Sequence, residues 1–120
     1  MNEKIWLKEP EEHDFPAAED YLELLLPTAR AKAVVARLRT ARTVSKKAKD
    51  VLRASALPLL RQQDSVHVHN DIEKVKAGKQ LSPVLLVVGQ PLIIADGYHR
   101  VCAIYALSED TEIPCRLVTA

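Results

Sequence analysis

The chain has 120 residues, is 48% hydrophobic, and carries 17 lysines and arginines against 16 aspartates and glutamates, a net charge of +1. That length suits one domain with one core that folds without disulfide or metal staples. Apolar runs such as Val84 to Val88 are too short to span a bilayer, and the N-terminus shows neither a signal h-region nor a cleavage site, so a cytoplasmic protein with no membrane partner is expected.

Charge is unevenly distributed along the chain. Residues 1–26 sum to −6, residues 27–53 to +8 and residues 54–120 to −1. The acidic and basic stretches therefore either pair with each other or attract outside partners.

Asp14 followed by Pro16 is a helix-start signal, with Asp14 as the cap, and Tyr21, Leu22, Leu25 and Leu26 then share a helical face. After Pro27 a second helix is expected from about Thr28 to Arg42, with Ala31, Val34, Val35 and Leu38 inward. Ser45 can cap a third helix, apolar at Ala48, Val51, Leu52 and Ala54, that Pro58 stops. On this reading the front half is helical throughout.

The back half changes character. Asn70 with Glu73 resembles a capping box, Ile72 and Val75 point inward, and Gly78 supplies a left-handed stop. Val84–Val88 and Leu92–Ala95, joined through Gly89-Gln90, read as a hairpin. A helix over 97–108 and a last strand over 112–118 follow. A block of helices followed by helix, strand, strand, helix, strand argues for α+β rather than a doubly wound sheet. Cys102 and Cys115 sit in apolar segments without CxxC spacing and are expected as buried free thiols.

The segment Asp96-Gly97-Tyr98-His99-Arg100 lies between the second hairpin strand and the helix. A helix opening at Gly97 presents free N–H groups and the positive end of its dipole to an anion. Arg100 adds a donor fork suited to phosphate oxygens, and His99 adds a donor that titrates near neutrality. Asp96 either caps the helix or meets a phosphate through Mg²⁺. The competing account is purely structural: Asp96 caps, Tyr98 and His99 pack on the sheet, and Arg100 is solvated. A type I′ turn at Asp96-Gly97 is the weaker alternative, because Val101 to Ala106 fit a buried helix better than an alternating strand.

The run from Ile72 through Gly78 to Pro83-Val84-Leu85-Leu86-Val87, then Leu92 to Tyr105, then Ile113-Pro114-Cys115-Arg116-Leu117-Val118, resembles the ParB and sulfiredoxin superfamily. The likeness covers about residues 57–120, with residues 1–56 as a helical extension of the same single domain. It rests on a short helix ending in glycine, a proline followed by an apolar strand, a G-x-x-R motif opening an alanine-containing helix, and a final I-P strand. The resemblance implies a nucleotide cradle. In ParB proteins the equivalent motif lies over the triphosphate of CTP, in sulfiredoxins a Gly-Cys-His-Arg version does so for ATP, and Asp-Gly-x-x-Arg versions occur in nucleotide-dependent serine kinases. Carried onto this chain, it makes Asp96, Gly97, Tyr98, His99 and Arg100 the nucleotide- or phosphate-binding segment, with a nucleoside triphosphate and Mg²⁺ as the cofactor pair. Tyr98 stands where sulfiredoxins have their reactive cysteine, so sulfinic acid reduction is not expected. No residue matches a catalytic base, which leaves the reaction open. The helix-turn-helix and dimerisation modules of ParB proteins have no counterpart after the last strand, so plasmid partition is not expected either; a homodimer stays open.

Two further constellations compete. His67 and His69, spaced i, i+2 on an extended segment, would share a face and could hold a metal if His99, Asp71 or His13 approached; polar edge residues before a helix cap are the simpler account, and no metal site is expected. The basic stretch, with Arg30, Arg37, Arg39, Lys46 and Lys47, could contact nucleic-acid phosphates as a non-enzymatic binding or regulatory module. It lacks interleaved aromatics, and the acidic leader could cover the same face. A protein-interaction subunit whose charged halves meet a partner is the remaining class. Trp6 and Phe15 are expected to pack the leader onto the core.

Overall fold

In the computed structural model, which describes residues 4–120, the strand residues Val84, Leu85, Leu86 and Val87 are all buried. A strand buried on both faces needs a covering layer on each side. Period-two alternation divides it accordingly: Val84 and Leu86 enter one apolar cluster with Val68, Ile72, Val101 and Ile113, while Leu85 and Val87 enter a second with Phe15, Leu22, Val34 and Leu38.

The layers are supplied by an α+β chain whose described residues form α1 (Asp14–Leu22), α2 (Thr28–Thr40), β1 (Thr43–Lys47), α3 (Ala48–Ser55), α4 (Val66–Lys76), β2 (Val84–Val88), β3 (Ile93–Asp96), α5 (Tyr98–Leu107) and β4 (Glu112–Thr119). The mixed sheet runs β1-β4-β2-β3, with β4 antiparallel to β1, parallel to β2, and β2 antiparallel to β3. Helices α1 and α2 cover one face; α3, α4 and α5 cover the other. No helix among the described residues is long and apolar enough to cross a membrane. Trp6 and Phe15 are buried, and the leader is tied down by Leu7 N donating to Leu81 O at 2.8 Å and Leu81 N to Ile5 O at 2.8 Å.

The expected helix α2, the β2–β3 hairpin, α5 and the last strand are present, with Ala31, Val34, Val35 and Leu38 buried as expected. Cys102 and Cys115 are buried and free. Several expectations are corrected. The front half is not helical throughout: Thr43–Lys47 is an edge strand paired residue for residue with β4, so Ser45 lies opposite Pro114 and caps nothing. Because β1 joins the sheet and α1 and α2 cover it, residues before 57 share the core with those after. α3 ends at Ser55 through Ala56 in the left-handed region (φ 58°), before Pro58 is reached, and Ala54 is exposed. Asp14 is not a cap; it is 2% exposed, and its Oδ2 accepts from Glu11 N at 3.0 Å.

α4 starts five residues earlier than Asn70. Ser65 is its N-cap, its hydroxyl accepting from Val68 N at 3.3 Å, and Asn70 lies inside the helix. Gly78 does end it, at φ +80°. The earlier start turns "VHVHND" from an extended segment into helix, so His67 and His69 diverge by two helical steps instead of sharing a face.

Buried Arg116 fixes the far end of α2. Its Nη1 donates to Leu38 O at 3.0 Å and Arg39 O at 2.8 Å, and its Nε donates to Thr43 Oγ1 at 3.0 Å. Those carbonyls belong to the last turn of a helix and have no intrahelical donor, so an arginine on β4 satisfies them.

Candidate functional site

With α4 beginning at Ser65, His67, Asn70, Asp71 and Lys74 fall at i, i+3, i+4 and i+7, a polar stripe on one face of the helix. Val68, Ile72 and Val75 form the opposite, core-facing stripe. The polar stripe faces the start of α5 across a cleft of about 650 Å³, lined also by Lys79, Asp96, Gly97, His99 and Arg100. That volume lies within the range of small-molecule sites, about 300–1,000 Å³, but the lining is charged where most such sites are apolar.

The floor of the cleft is the β3–α5 junction. A bulge in β3 sets Asp96 opposite Leu85 while Ile94 stays opposite Leu86, so Ala95 is the extra residue and the carboxylate is re-aimed at the strand end. Gly97 has φ +112°, and a Cβ there would lie 2.5 Å from Val84 Cγ1. The glycine is therefore explained by its backbone conformation and the strand packed beneath it. α5 begins at Tyr98 with no side-chain cap. Its first N–H groups and dipole are thus left without a side-chain acceptor from Gly97.

Asp96 does not cap the helix. Its Oδ2 accepts from Arg100 Nη2 at 2.9 Å, an i, i+4 ion pair in which both side chains are largely buried. Burial holds the Asp96 carboxyl above its usual range against the pull of Arg100, and the neighbouring Asp14 carboxyl pushes the same way as burial. Arg100 is not solvated either: Nη2 also donates to Pro83 O at 3.3 Å, and Nε is buried without a partner. Tyr98 turns away from the cleft, donating its hydroxyl to Pro58 O and packing on the α3–α5 cluster. Burial raises its phenol above the ordinary value, with Cys102 adding to the shift.

His99 faces the cleft with its ring centroid 4.8 Å from that of His67. Burial, then His67, holds the His99 imidazole below its usual value, and Asp71 opposes them. Asp71 is itself raised by burial, against the nearby Arg100, Lys74, His99 and His67. Neither Lys74 nor Lys79 is in a salt bridge among the described residues. His69 instead meets Gln62 Nε2 through Nδ1 at 2.9 Å. No group of three or more histidine, cysteine or acidic side chains suited to a metal ion occurs among the described residues.

The structure thus brings Asp96, Gly97, His99 and Arg100 to one cleft and directs Tyr98 elsewhere. His67, Asn70, Asp71, Lys74 and Lys79 join it from α4 and the turn that follows. For the four on α4 the signal in the sequence was the polar i, i+3, i+4, i+7 stripe, visible only once Ser65 is taken as the helix start; Lys79 lies beyond the helix and outside that stripe.

The basic stretch is distributed differently. Arg39 Nη1 donates to both Glu12 carboxylate oxygens, at 2.7 and 2.9 Å, and its guanidinium lies 4.5 Å from the Phe15 ring centroid. Lys32 pairs with Glu19 at 2.9 Å, and Arg37 donates to Thr119 O. Lys46 and Lys47 are successive residues of β1 and point to opposite faces of the sheet; Arg30 is exposed at the start of α2. Comparison of the chain with protein-family models, with curated proteins and with solved structures gives no match.

Proposed function

We propose that the chain binds a phosphate-bearing small molecule, a nucleotide in particular, in the cleft between α4 and the start of α5. One observation carries this reading: a single cleft gathers the side-chain-uncapped start of α5 with Lys74, Lys79, Arg100 and two imidazoles, while two of its three carboxylates, Asp96 and Glu73, are already paired with Arg100 and Lys76 and only Asp71 is left to oppose an anion. Cations converging on a helix N-terminus suit a polyanion better than any apolar ligand. Lys74 and Lys79 supply charge and the two imidazoles supply donors to phosphate oxygens, while Arg100, anchored by Asp96, adds its charge at the floor of the cleft. The ParB/sulfiredoxin likeness of residues 57–120 points to the same segment and the same class of ligand.

The residues fit the phosphates of a nucleoside triphosphate better than they fit Mg²⁺ at Asp96. The Asp96 carboxylate is already engaged by Arg100 and that of Glu73 by Lys76, and Asp71 is the cleft carboxylate in no salt bridge among the described residues. A bound Mg²⁺ would therefore be held chiefly by the phosphates, with Asp71 within the same cleft. The basic residues of α2 and β1 support a nucleic-acid reading less well, since Arg37 and Arg39 are already engaged and Lys46 and Lys47 diverge.

A thermal-shift panel of nucleoside triphosphates, with and without Mg²⁺, tests the proposal. At a hundred times its dissociation constant a ligand stabilises by about 2.7 kcal/mol, enough to raise Tm by several degrees. Arg100→Ala and Lys74→Ala should each remove the rise. No rise with any nucleotide at millimolar concentration would overturn the reading.

A further inference from the structure

His67 lies outside the Asp96–Arg100 segment, yet its ring meets that of His99, at 4.8 Å between centroids, and both line the cleft. Two imidazoles this close resist carrying two positive charges, whereas a doubly charged anion between them removes the resistance. We propose that His67 and His99 form one proton-linked clamp for a dianionic phosphate group, taking up a proton from solvent as the anion enters. This rests on the phosphate reading above and adds to it a ligand class, a terminal phosphate in its dianionic form, and a residue on α4 that selects it.

The surroundings of the pair favour this behaviour. From α5, Arg100 adds positive charge and Tyr98 packs its ring 5.6 Å from that of His99. From α4, Lys74 adds a second cation, while Asp71 and Glu73 supply negative charge; Lys79 comes from the following turn and Asp96 from β3. Asp96 is tied to Arg100 and Glu73 pairs with Lys76 at 3.7 Å, so Asp71 is the carboxylate left to balance the imidazoles in the free protein. Burial and His67 both favour the neutral form of His99, and a negative charge arriving beside the two rings favours uptake of a proton. An incoming dianion supplies that compensation, and in a protonated imidazole both ring nitrogens are donors, so whichever one faces the anion can donate to it.

Inorganic sulfate is the probe, because it stays doubly charged across the range in which histidine titrates. Its affinity is measured by NMR of the assigned amides at several values between about pH 5.5 and 8.5, at constant ionic strength. One linked proton makes the dissociation constant rise up to about tenfold per pH unit above the midpoint of the pair. His67→Gln, a change at an exposed position, should flatten that slope while leaving the amide spectrum folded, and Asp71→Asn should keep it. Sulfate binding at the Gly97 to Arg100 amides with the same affinity at every pH overturns the clamp and leaves the cleft reading standing. A slope that survives in His67→Gln or vanishes in Asp71→Asn also overturns the clamp, by assigning the proton elsewhere. If neither sulfate nor ATP perturbs those amides at any pH, both readings fall.

Discussion

The two faces of the sheet both carry exposed cations, and they differ in what those cations touch. On the α1/α2 face, Lys32 and Arg39 meet Glu19 and Glu12, and Arg37 donates to the Thr119 carbonyl, so these three cations are engaged inside the chain. On the α4/α5 face, Lys74, Lys79 and the His67–His99 pair converge on a cleft, with Arg100 held at its floor. The difference teaches that cation density along a sequence is a poor guide to a binding surface. What matters is whether the fold has already supplied a partner, as it has for Lys32 and Arg39.

The comparison breaks most easily at Arg116, the buried arginine of the α1/α2 face. Arg116→Ala strands the Leu38 and Arg39 carbonyls and the Thr43 hydroxyl, and a loss of about 3–5 kcal/mol is expected in urea unfolding. Next comes Gly97→Ala on the other face, where a Cβ would meet Val84 Cγ1 at 2.5 Å in a left-handed conformation. A loss of about 2–3 kcal/mol is expected, and adding Val84→Ala should recover only a small part of it, because the alanine Cβ still lies 2.9 Å away and the backbone strain remains.

Acid should act on the cleft face through His99. A histidine whose folded value is depressed contributes stability that is present above its ordinary 6.5 and lost as pH falls through the folded value. Tm should therefore drop on acidification from neutrality, and His99→Gln should shallow that drop. Asp96 acts in the opposite direction: its raised value contributes stability present below the ordinary 3.8 and lost as pH rises through the folded value. Carbon NMR of the carboxyl should place its titration lower in Asp14→Asn than in the parent protein. The smallest effect belongs to Glu12→Gln, which breaks an exposed pair with Arg39 and should barely move the urea midpoint.

Much of the architecture was legible from local pattern. The inward positions of α2 follow 3.6-residue spacing, and the Val84–Val88 run of valine and leucine reads as a strand that pairs with the next. What was not legible is set by distant partners. "TVSKK" carries no strand period of its own and becomes β1 because β4 offers an edge to pair with. Asp14 has the spacing of a cap, yet it is buried beside Asp96, a neighbour that tertiary structure alone supplies. At the site, the Asp96–Arg100 segment could be located from sequence because a strand, a glycine and an apolar helix follow in order. Its internal hydrogen bonds could not, since the Asp96–Arg100 pair replaces the expected cap. Placing the start of α4 at Asn70 hid the other wall of the cleft, because His67 then lay outside the helix.

The account turns on whether phosphate ligands enter that cleft. Titrating the protein with ATP, CTP and their Mg²⁺ complexes while recording its amide NMR spectrum decides this directly. Saturable shifts are predicted at Gly97, Tyr98, His99 and Arg100 and along the His67 to Lys74 face of α4. Spectra unchanged at millimolar nucleotide, or shifts confined to α2 and β1 around Arg30, Arg37 and Lys46, would contradict it.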